Sequence, residues 1–180
     1  GRLKRTIAAA EMKVVITKRD NSSTAGGIVV ILDKRWAKIE FKSKEYRCET
    51  RELNGRLLAL EFDNKTAGAH NRFQLIAAHS VNNPQNNEKH ITQMLQWIQA
   101  TKEAFCTAFP RAQSILAGDL NAAQLTRLDT NKCDLEITDD DQREPDAFVL
   151  DTLTGPLVKY ADLFRTKFPN TKAWTRVTSH

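Results

Sequence analysis

Two segments of the sequence end an apolar run with side chains that can do chemistry. In the first, "QSILAGDLNAAQ" (113–124), Gly118 breaks the run, and Asp119 and Asn121 follow two residues apart. Residues i and i+2 of an extended segment project to the same side, so a carboxylate and an amide would face one place. A carboxylate can bind a hard cation or polarise a water molecule, and an amide can donate to a phosphate oxygen. The structural alternative is an Asx-type turn, in which both side chains only cap backbone N–H groups.

The second segment, "FQLIAAHSVNNP", ends its apolar run with His79. Histidine is the side chain best suited to move a proton near neutral pH, although a lone histidine is more often a half-buried structural residue. If the two segments are neighbouring strands of one sheet, His79, Asp119 and Asn121 converge on a single cleft. Asn82 and Asn83, which come just after the histidine, are then predicted to face a phosphate.

The elements that must position these residues change character along the chain. Short segments rich in Val, Ile, Leu and Phe predict strands in the first half, with Asn54-Gly55 as a tight turn between two of them. These segments are "MKVVIT", "GGIVVILD", "RWAKIEFK", "EYRCETREL", "GRLLALEF" and "RFQLIAAHS". In the second half, "NNEKHITQMLQWIQATKEAFCTAF" has a helical apolar face, an N-cap at Asn86 or Asn87, and Pro110 after its end. "SILAG" predicts a short buried strand, and "EPDAFVLDTLTGPL" and "YADLFRTKF" predict two further helices. This order predicts an α+β or layered α/β/α domain.

Composition narrows the class of protein. The 180 residues fit one domain, spanning 1–180, and no apolar run approaches the roughly 20 residues of a membrane-spanning helix. The three cysteines are widely spaced, which argues against a zinc site and predicts reduced thiols in an intracellular compartment. Residues 1–47 carry twelve Lys and Arg against five Asp and Glu, whereas residues 129–151 carry nine acids against two bases. The basic part suits attraction to phosphates or merely solvates strand edges, and the acidic part is predicted to be a solvated loop.

Several basic and aromatic side chains near the predicted strand ends are candidates for contacts with nucleic acid. Arg72 is the basic residue that we predict to bind substrate, together with Asn82 and Asn83. Trp36 and Tyr46 could stack on bases. The alternative for each is a core aromatic or an edge charge. The basic candidates are Lys34, Arg35, Arg51, Arg56 and Arg72.

The order of these segments resembles the endonuclease/exonuclease/phosphatase superfamily, which includes pancreatic-type deoxyribonuclease, abasic-site endonucleases and the endonuclease domains of non-LTR retrotransposons. "GDLNA" (118–122) matches the hallmark segment of that superfamily position by position, and the "HS" after the earlier strand is similar to the deoxyribonuclease version. "GGIVVIL" and "NGRLLALEF" resemble two of its core strands. The segment around Asp162, Phe164, Pro169 and Trp174 resembles the one that precedes its last active-site strands. The similarity covers roughly residues 13–176.

The resemblance implies an α/β/β/α sandwich of the deoxyribonuclease type and metal-assisted hydrolysis of a phosphodiester. It implies that Asp119 and Asn121 bind the scissile phosphate region and orient water or metal, with Asp119 as a ligand of Mg²⁺ or Mn²⁺. It implies that His79 stabilises or protonates an oxygen of the phosphate. Among the branches, the retrotransposon endonucleases are the nearest in style, which implies DNA as the partner and the nucleus as the location.

The sequence also departs from the superfamily pattern. An upstream Asn and a "QE" glutamate are not found, nor are a downstream Asp and a final "SDH"; the terminal Ser179-His180 is interpreted as chance. Relatives with His at the position of His79 orient it with a glutamate near the second strand, where this chain has "NSSTAGG". We therefore expect a central piece of a longer domain, without its two ends. The enzyme hypothesis has two rivals. One is an inactive relative that serves as a structural or interaction subunit, and the other is a module that only binds nucleic acid.

Overall fold

The structure is a computed structural model in which seven stretches of the chain are described. The chain divides into two compact units, one formed by residues 1–80 and 96–119 and the other by residues 81–95 and 120–180. The prediction of one domain over residues 1–180 stays a prediction. The described stretches are 13–17, 27–33, 39–45, 53–63, 72–81, 86–122 and 147–167.

The described strands of the first unit form two sheets. The first two strands make an antiparallel pair, and the other four make one sheet in the order β3-β4-β5-β6. In that sheet β3, β4 and β5 are antiparallel neighbours, whereas β6 is parallel to β5. The strands are β1 (Lys13–Ile16), β2 (Val29–Leu32), β3 (Glu40–Glu45), β4 (Leu57–Asp63), β5 (Arg72–His79) and β6 (Gln113–Asp119).

The helix α1 (Glu88–Ala108) lies between β5 and β6 in the chain. Parallel neighbours need a crossover of a dozen or more residues, and this helix supplies it. The N–H of Ile91 donates to the carbonyl of Asn87 at 3.0 Å, so the helix starts at the predicted cap, and it ends two residues before Pro110. The described part of the chain is therefore a mixed α+β structure, as predicted.

The core of the first unit lies between its two sheets. Leu58, Leu60 and Phe62 alternate along β4 and form one buried cluster with Ile28 and Leu32 of the β2 segment. Alternation of side chains along a strand brings every second residue to the same face, so the matching face of β5 joins this cluster. Phe73 of β5 stacks on Phe62, with ring centroids 4.4 Å apart and planes 9° from parallel. The partly buried residues that complete the cluster are Val15, Val30, Ile39, Phe41, Phe73, Leu75 and Ala77.

The other face of the four-stranded sheet contains a buried amide. Gln74 of β5 is fully buried, its Nε2 donates to the carbonyl of Thr101 in α1 at 3.2 Å, and its Oε1 accepts from the Ser114 hydroxyl of β6 at 2.8 Å. Because a buried amide must find its partners, this network favours one alignment of β5, β6 and α1 over any slipped one. Gln74 and Ser114 are also partners in the strand register.

The second unit contains helices and little else among its described residues. It holds the first two turns of α1, then α2 (Ala147–Thr154) and α3 (Leu163–Lys167). Its buried apolar side chains include Ile91, Met94 and Leu95, which belong to the predicted apolar face of α1. The buried apolar residues among the described ones of this unit are Val81, Ile91, Met94, Leu95, Ala147, Val149, Leu153 and Val158. None of the helices in the described residues is long and apolar enough to cross a membrane.

Two details of the strand prediction need correction. β3 starts at Glu40, later than "RWAKIEFK" suggested, and most of "EYRCETREL" lies outside the described residues. "SILAG" was predicted to be buried on both sides, but Ile115 is 45% exposed. The reason is position: β6 is the last strand of the described sheet, and only the face that carries Ser114 and Leu116 shares the side of Gln74 and α1. The turn at Asn54-Gly55 is confirmed, with Gly55 at φ 76°.

Candidate functional site at the ends of two parallel strands

The structure brings two of the predicted site residues together. His79 is the last residue of β5, Asp119 is the last residue of β6, and the two are partners in the parallel register. Neighbouring strands lie about 4.8 Å apart, and register partners project to the same face of a sheet. The imidazole is half-buried and the carboxylate is exposed. An imidazole and a carboxylate therefore share one rim of the sheet, and the predicted adjacency of the two strands is confirmed.

Main-chain hydrogen bonds fix both strand ends. The N–H of Ser80 donates to the carbonyl of Asp119 at 2.8 Å, which continues the ladder one residue beyond β5. The N–H of His79 donates to the carbonyl of Arg56 at 2.9 Å, which ties the same point to the start of β4. Ser80 is fully buried. The peptide groups at the site are thus held by two neighbouring strands.

The structure shows why glycine occupies position 118, the first residue of "GDLNA". Its φ is +149°, in a region that L side chains rarely adopt. A Cβ added there would lie 1.8 Å from the carbonyl oxygen of Ala78, inside any possible contact. Glycine is therefore needed for β6 to approach β5 closely enough to pair Asp119 with His79.

Asn121 also has an unusual backbone. It lies in the second unit, is half-buried and has a φ of 49°, a left-handed conformation that asparagine tolerates better than most residues. This conformation ends the extended segment after β6. The prediction that Asp119 and Asn121 project together assumed that the extended segment continued through both. That assumption fails at Asn121, so the spacing argument no longer supports their convergence.

Arg72 does not lie with the other predicted site residues. It opens β5 while His79 closes it, and seven strand steps of about 3.3 Å separate them by roughly 23 Å. Its guanidinium makes two hydrogen bonds to the carboxylate of Asp63, at 2.9 and 3.1 Å, and lies 4.2 Å from the centre of the Phe109 ring. Its role in substrate binding stays a prediction, with no support from proximity to His79.

Arg72 instead lines a cavity of about 470 Å³ at its own end of the sheet. The walls combine aromatic rings with acids and bases of both signs, so the cavity has no evident preference for an anion. The other lining residues are Lys13, Glu40, Phe41, Lys42, Glu61, Phe62, Asp63, Phe105 and Phe109.

Other predicted contacts fall outside the described residues. They include Asn82 and Asn83, the aromatic candidates Trp36 and Tyr46, and the basic candidates Lys34, Arg35 and Arg51. Arg56 is described, and it is not a surface contact: it is only 8% exposed, and its Nη1 donates to two main-chain carbonyls. The sequence contained one signal of this burial, because "RLLALEF" places the arginine directly before a continuous apolar strand. Of the three cysteines, Cys106 is a half-buried free thiol, and the others are outside the described residues.

Whether the strand ends can hold a metal ion depends on the donor groups that lie there. Across the described stretches, no three His, Cys, Asp or Glu side chains gather closely enough to hold an ion by themselves. Mg²⁺ is commonly held by only one or two carboxylates, with water and substrate phosphates completing its shell. The exposed carboxylate of Asp119 fits that mode of binding as a single protein ligand.

Comparison with known proteins identifies no relative: no protein-family model matches the chain, and no curated protein matches it. What the structure defines is an α+β protein whose four-stranded mixed sheet brings a histidine and an aspartate together at the ends of two parallel strands.

Proposed function

We propose that this chain belongs to a divalent-metal-dependent phosphodiesterase that cleaves DNA, an endonuclease of the retrotransposon type. The observation that carries the proposal is the register of β5 and β6, which places His79 opposite Asp119 directly after the required Gly118. The two packed sheets, with Gln74 bonded to α1 on the outer side, are compatible with the α/β/β/α sandwich that the sequence resemblance implies. That finer architecture is part of the proposal.

The proposed roles of Asp119 and His79 follow from the chemistry of the side chain. Asp119, an exposed carboxylate, would hold Mg²⁺ or Mn²⁺ at the rim and would orient the attacking water. His79 donates a hydrogen bond or a proton to a phosphate oxygen, a role that histidine often has in general acid–base catalysis. A role of Asn121 at the phosphate rests on the sequence resemblance alone, because its left-handed backbone removes the spacing argument. The metal ion, when bound, offsets the negative charge that develops on the phosphate during hydrolysis.

DNA is the proposed substrate because residues 1–47 carry an excess of basic charge, which attracts the phosphate backbone. A nuclear, reducing location belongs to the same proposal, since a retrotransposon endonuclease acts on chromosomal DNA.

The test is the nicking of supercoiled plasmid by the 180-residue chain in Mg²⁺ or Mn²⁺. We expect Asp119→Ala to lower the rate by at least about 100-fold, the effect of removing one key polar group from an active site. We expect His79→Ala to lower it by about 10²- to 10⁴-fold, as for loss of a general acid. Glu103→Ala is the matched control, because it removes an exposed acid from α1 and should leave the rate unchanged.

The outcomes separate the proposal from its rivals. Nicking that survives Asp119→Ala would come from a contaminant or another site and would refute the proposed site. DNA binding that falls steeply with salt, without any nicking, would favour the binding module. A chain that neither nicks nor binds would favour the inactive structural or interaction subunit.

A further inference from the structure

We propose that Arg56 is a positioning residue for His79: its guanidinium holds the main chain at the end of β5 and thereby fixes the imidazole relative to Asp119. The inference rests on the proposed phosphodiesterase function and adds a residue to which neither the motif nor the resemblance gives a role.

The burial of Arg56 requires a reason. Its exposed fraction of 8% is unusual for arginine, which is almost never fully buried unless it is paired. Removing a guanidinium from water is costly unless hydrogen bonds compensate for the lost hydration. The position follows the Asn54-Gly55 turn and precedes β4, where an apolar residue would be cheaper to bury. An arginine whose only role was contact with water would lie at an exposed position, and Arg56 does not.

The contacts of Arg56 converge on the main chain of His79 and Ser80. Its Nη1 donates to the carbonyl of His79 at 3.3 Å and to the carbonyl of Ser80 at 2.8 Å. Its own main-chain carbonyl accepts from the N–H of His79 at 2.9 Å. The histidine is therefore held on its amino side by the backbone of Arg56 and on its carboxyl side by the side chain. The planar, rigid guanidinium is suited to such a fixed geometry, whereas a lysine is a flexible point donor.

A third bond extends this arrangement to the second site residue. The N–H of Ser80 donates to the carbonyl of Asp119 at 2.8 Å, so the peptide that Arg56 holds is also joined to the end of β6. If the guanidinium is removed, two consecutive peptide groups, the His79–Ser80 group and the one that follows Ser80, each lose the donor to their carbonyl oxygen. A shift of about 1 Å in a reacting group can lower a rate by roughly 100-fold.

A purely structural role for Arg56 is the alternative, and Thr17 provides a matched control for it. The Thr17 hydroxyl is buried, donates to the carbonyl of Gly55 at 2.8 Å and accepts from the N–H of Ile28 at 2.8 Å. Thr17→Val therefore weakens the same turn from its other side while it leaves the guanidinium in place.

The experiment compares Arg56→Met, Arg56→Lys and Thr17→Val in the full 180-residue chain. Urea unfolding first identifies conditions in which every variant is folded. Imidazole ¹⁵N–¹H spectra, assigned with His79→Ala among the four histidines, then report the place of His79. Nicking assays give kcat, KM and the pH profile.

We expect Arg56→Met to shift the His79 resonances and lower kcat by about 10- to 100-fold with little change in KM. We expect Arg56→Lys to recover part of kcat, and Thr17→Val to keep both the spectrum and kcat.

The two readouts separate the inference from the proposed function. Shifted His79 resonances in Arg56→Met alone, in a chain that never nicks DNA, would uphold positioning and overturn the phosphodiesterase. Nicking by the wild type with equal losses in Arg56→Met and Thr17→Val, and an unmoved imidazole, would overturn positioning and leave the enzyme. If Arg56→Met does not fold, Arg56→Lys carries the test: wild-type spectra and kcat would refute the inference, and a shifted spectrum with a lowered kcat would support it.

Discussion

Replacing Gly118 with alanine adds one carbon where the structure has no room for it. The new Cβ would lie 1.8 Å from the carbonyl oxygen of Ala78, and 2.7 and 2.9 Å from its carbonyl carbon and nitrogen. All three atoms belong to the backbone, so no side-chain rotation relieves the overlap. Ordinary contact begins near 3.4 Å, and the ends of β5 and β6 must therefore separate by about 1.6 Å. The alanine must also keep a φ of +149° or abandon it.

The expected cost is the sum of two effects. Strain at a positive φ costs about 1–3 kcal/mol. The separation weakens one or two ladder bonds, including Ser80 N–H to Asp119, at about 0.5–1.5 kcal/mol each. We therefore expect Gly118→Ala to lower the free energy of unfolding by about 1.5–6 kcal/mol, a large part of the 5–15 kcal/mol typical of a domain. Urea unfolding measures this change, and faster amide exchange at Ser80 locates it.

Ala117→Val is the matched control for this substitution. Residue 117 is exposed and adjacent in β6, and a β-branched residue suits a strand, so the change should stay within about 0.5 kcal/mol of the wild type. If Gly118→Ala unfolded at the wild-type urea concentration with unchanged exchange at Ser80, the close approach of β5 and β6 would be wrong. The reason given for glycine in "GDLNA" would fail with it.

Two further predictions concern the rest of the sheet. Gln74→Leu should lower the free energy of unfolding by about 1–3 kcal/mol, because the Ser114 hydroxyl and the Thr101 carbonyl lose a buried partner. In urea unfolding, adding Ser114→Ala should then cost less than it does alone; full additivity would contradict the network. Asp63→Asn should cost less than about 1 kcal/mol, since both side chains of the pair with Arg72 are 35% exposed and solvent screens them. It should leave DNA nicking unchanged, and a loss of nicking would mean that this end of the sheet belongs to the site.

The predictable part of the fold came from patterns that act locally. The alternation along "RFQLIAAH" and the helical face around Ile91 and Ile98 both arise because one side of the element is buried. The spacing of apolar residues in the sequence shows which side that is. The adjacency of His79 and Asp119 could be predicted from the sequence, because two apolar strands joined by one helix can form a parallel pair and so bring their polar ends together.

The remainder required tertiary information. Whether "SILAG" has a neighbour on each side depends on the strand order, which periodicity does not contain, and so the exposure of Ile115 was missed. Arg56 was grouped with surface bases because its type favours exposure, whereas its burial depends on carbonyls more than twenty residues away. The left-handed φ of Asn121 is a backbone choice that the i and i+2 argument could not anticipate.

The parallel register of β5 and β6 also determines when the paired strand ends can first exist. The antiparallel strands β3, β4 and β5 follow one another in the chain, but His79 and Asp119 are forty positions apart and meet only after α1 has crossed over. Pairing across such a separation carries a loop-closure cost that local hairpins avoid, which makes it a late event in folding. A nascent chain that has formed only the β3–β5 meander holds His79 without its partner. The Ser80 N–H is bonded to the carbonyl of Asp119, so the moment at which this amide becomes protected from hydrogen exchange during refolding would report when the sheet is complete.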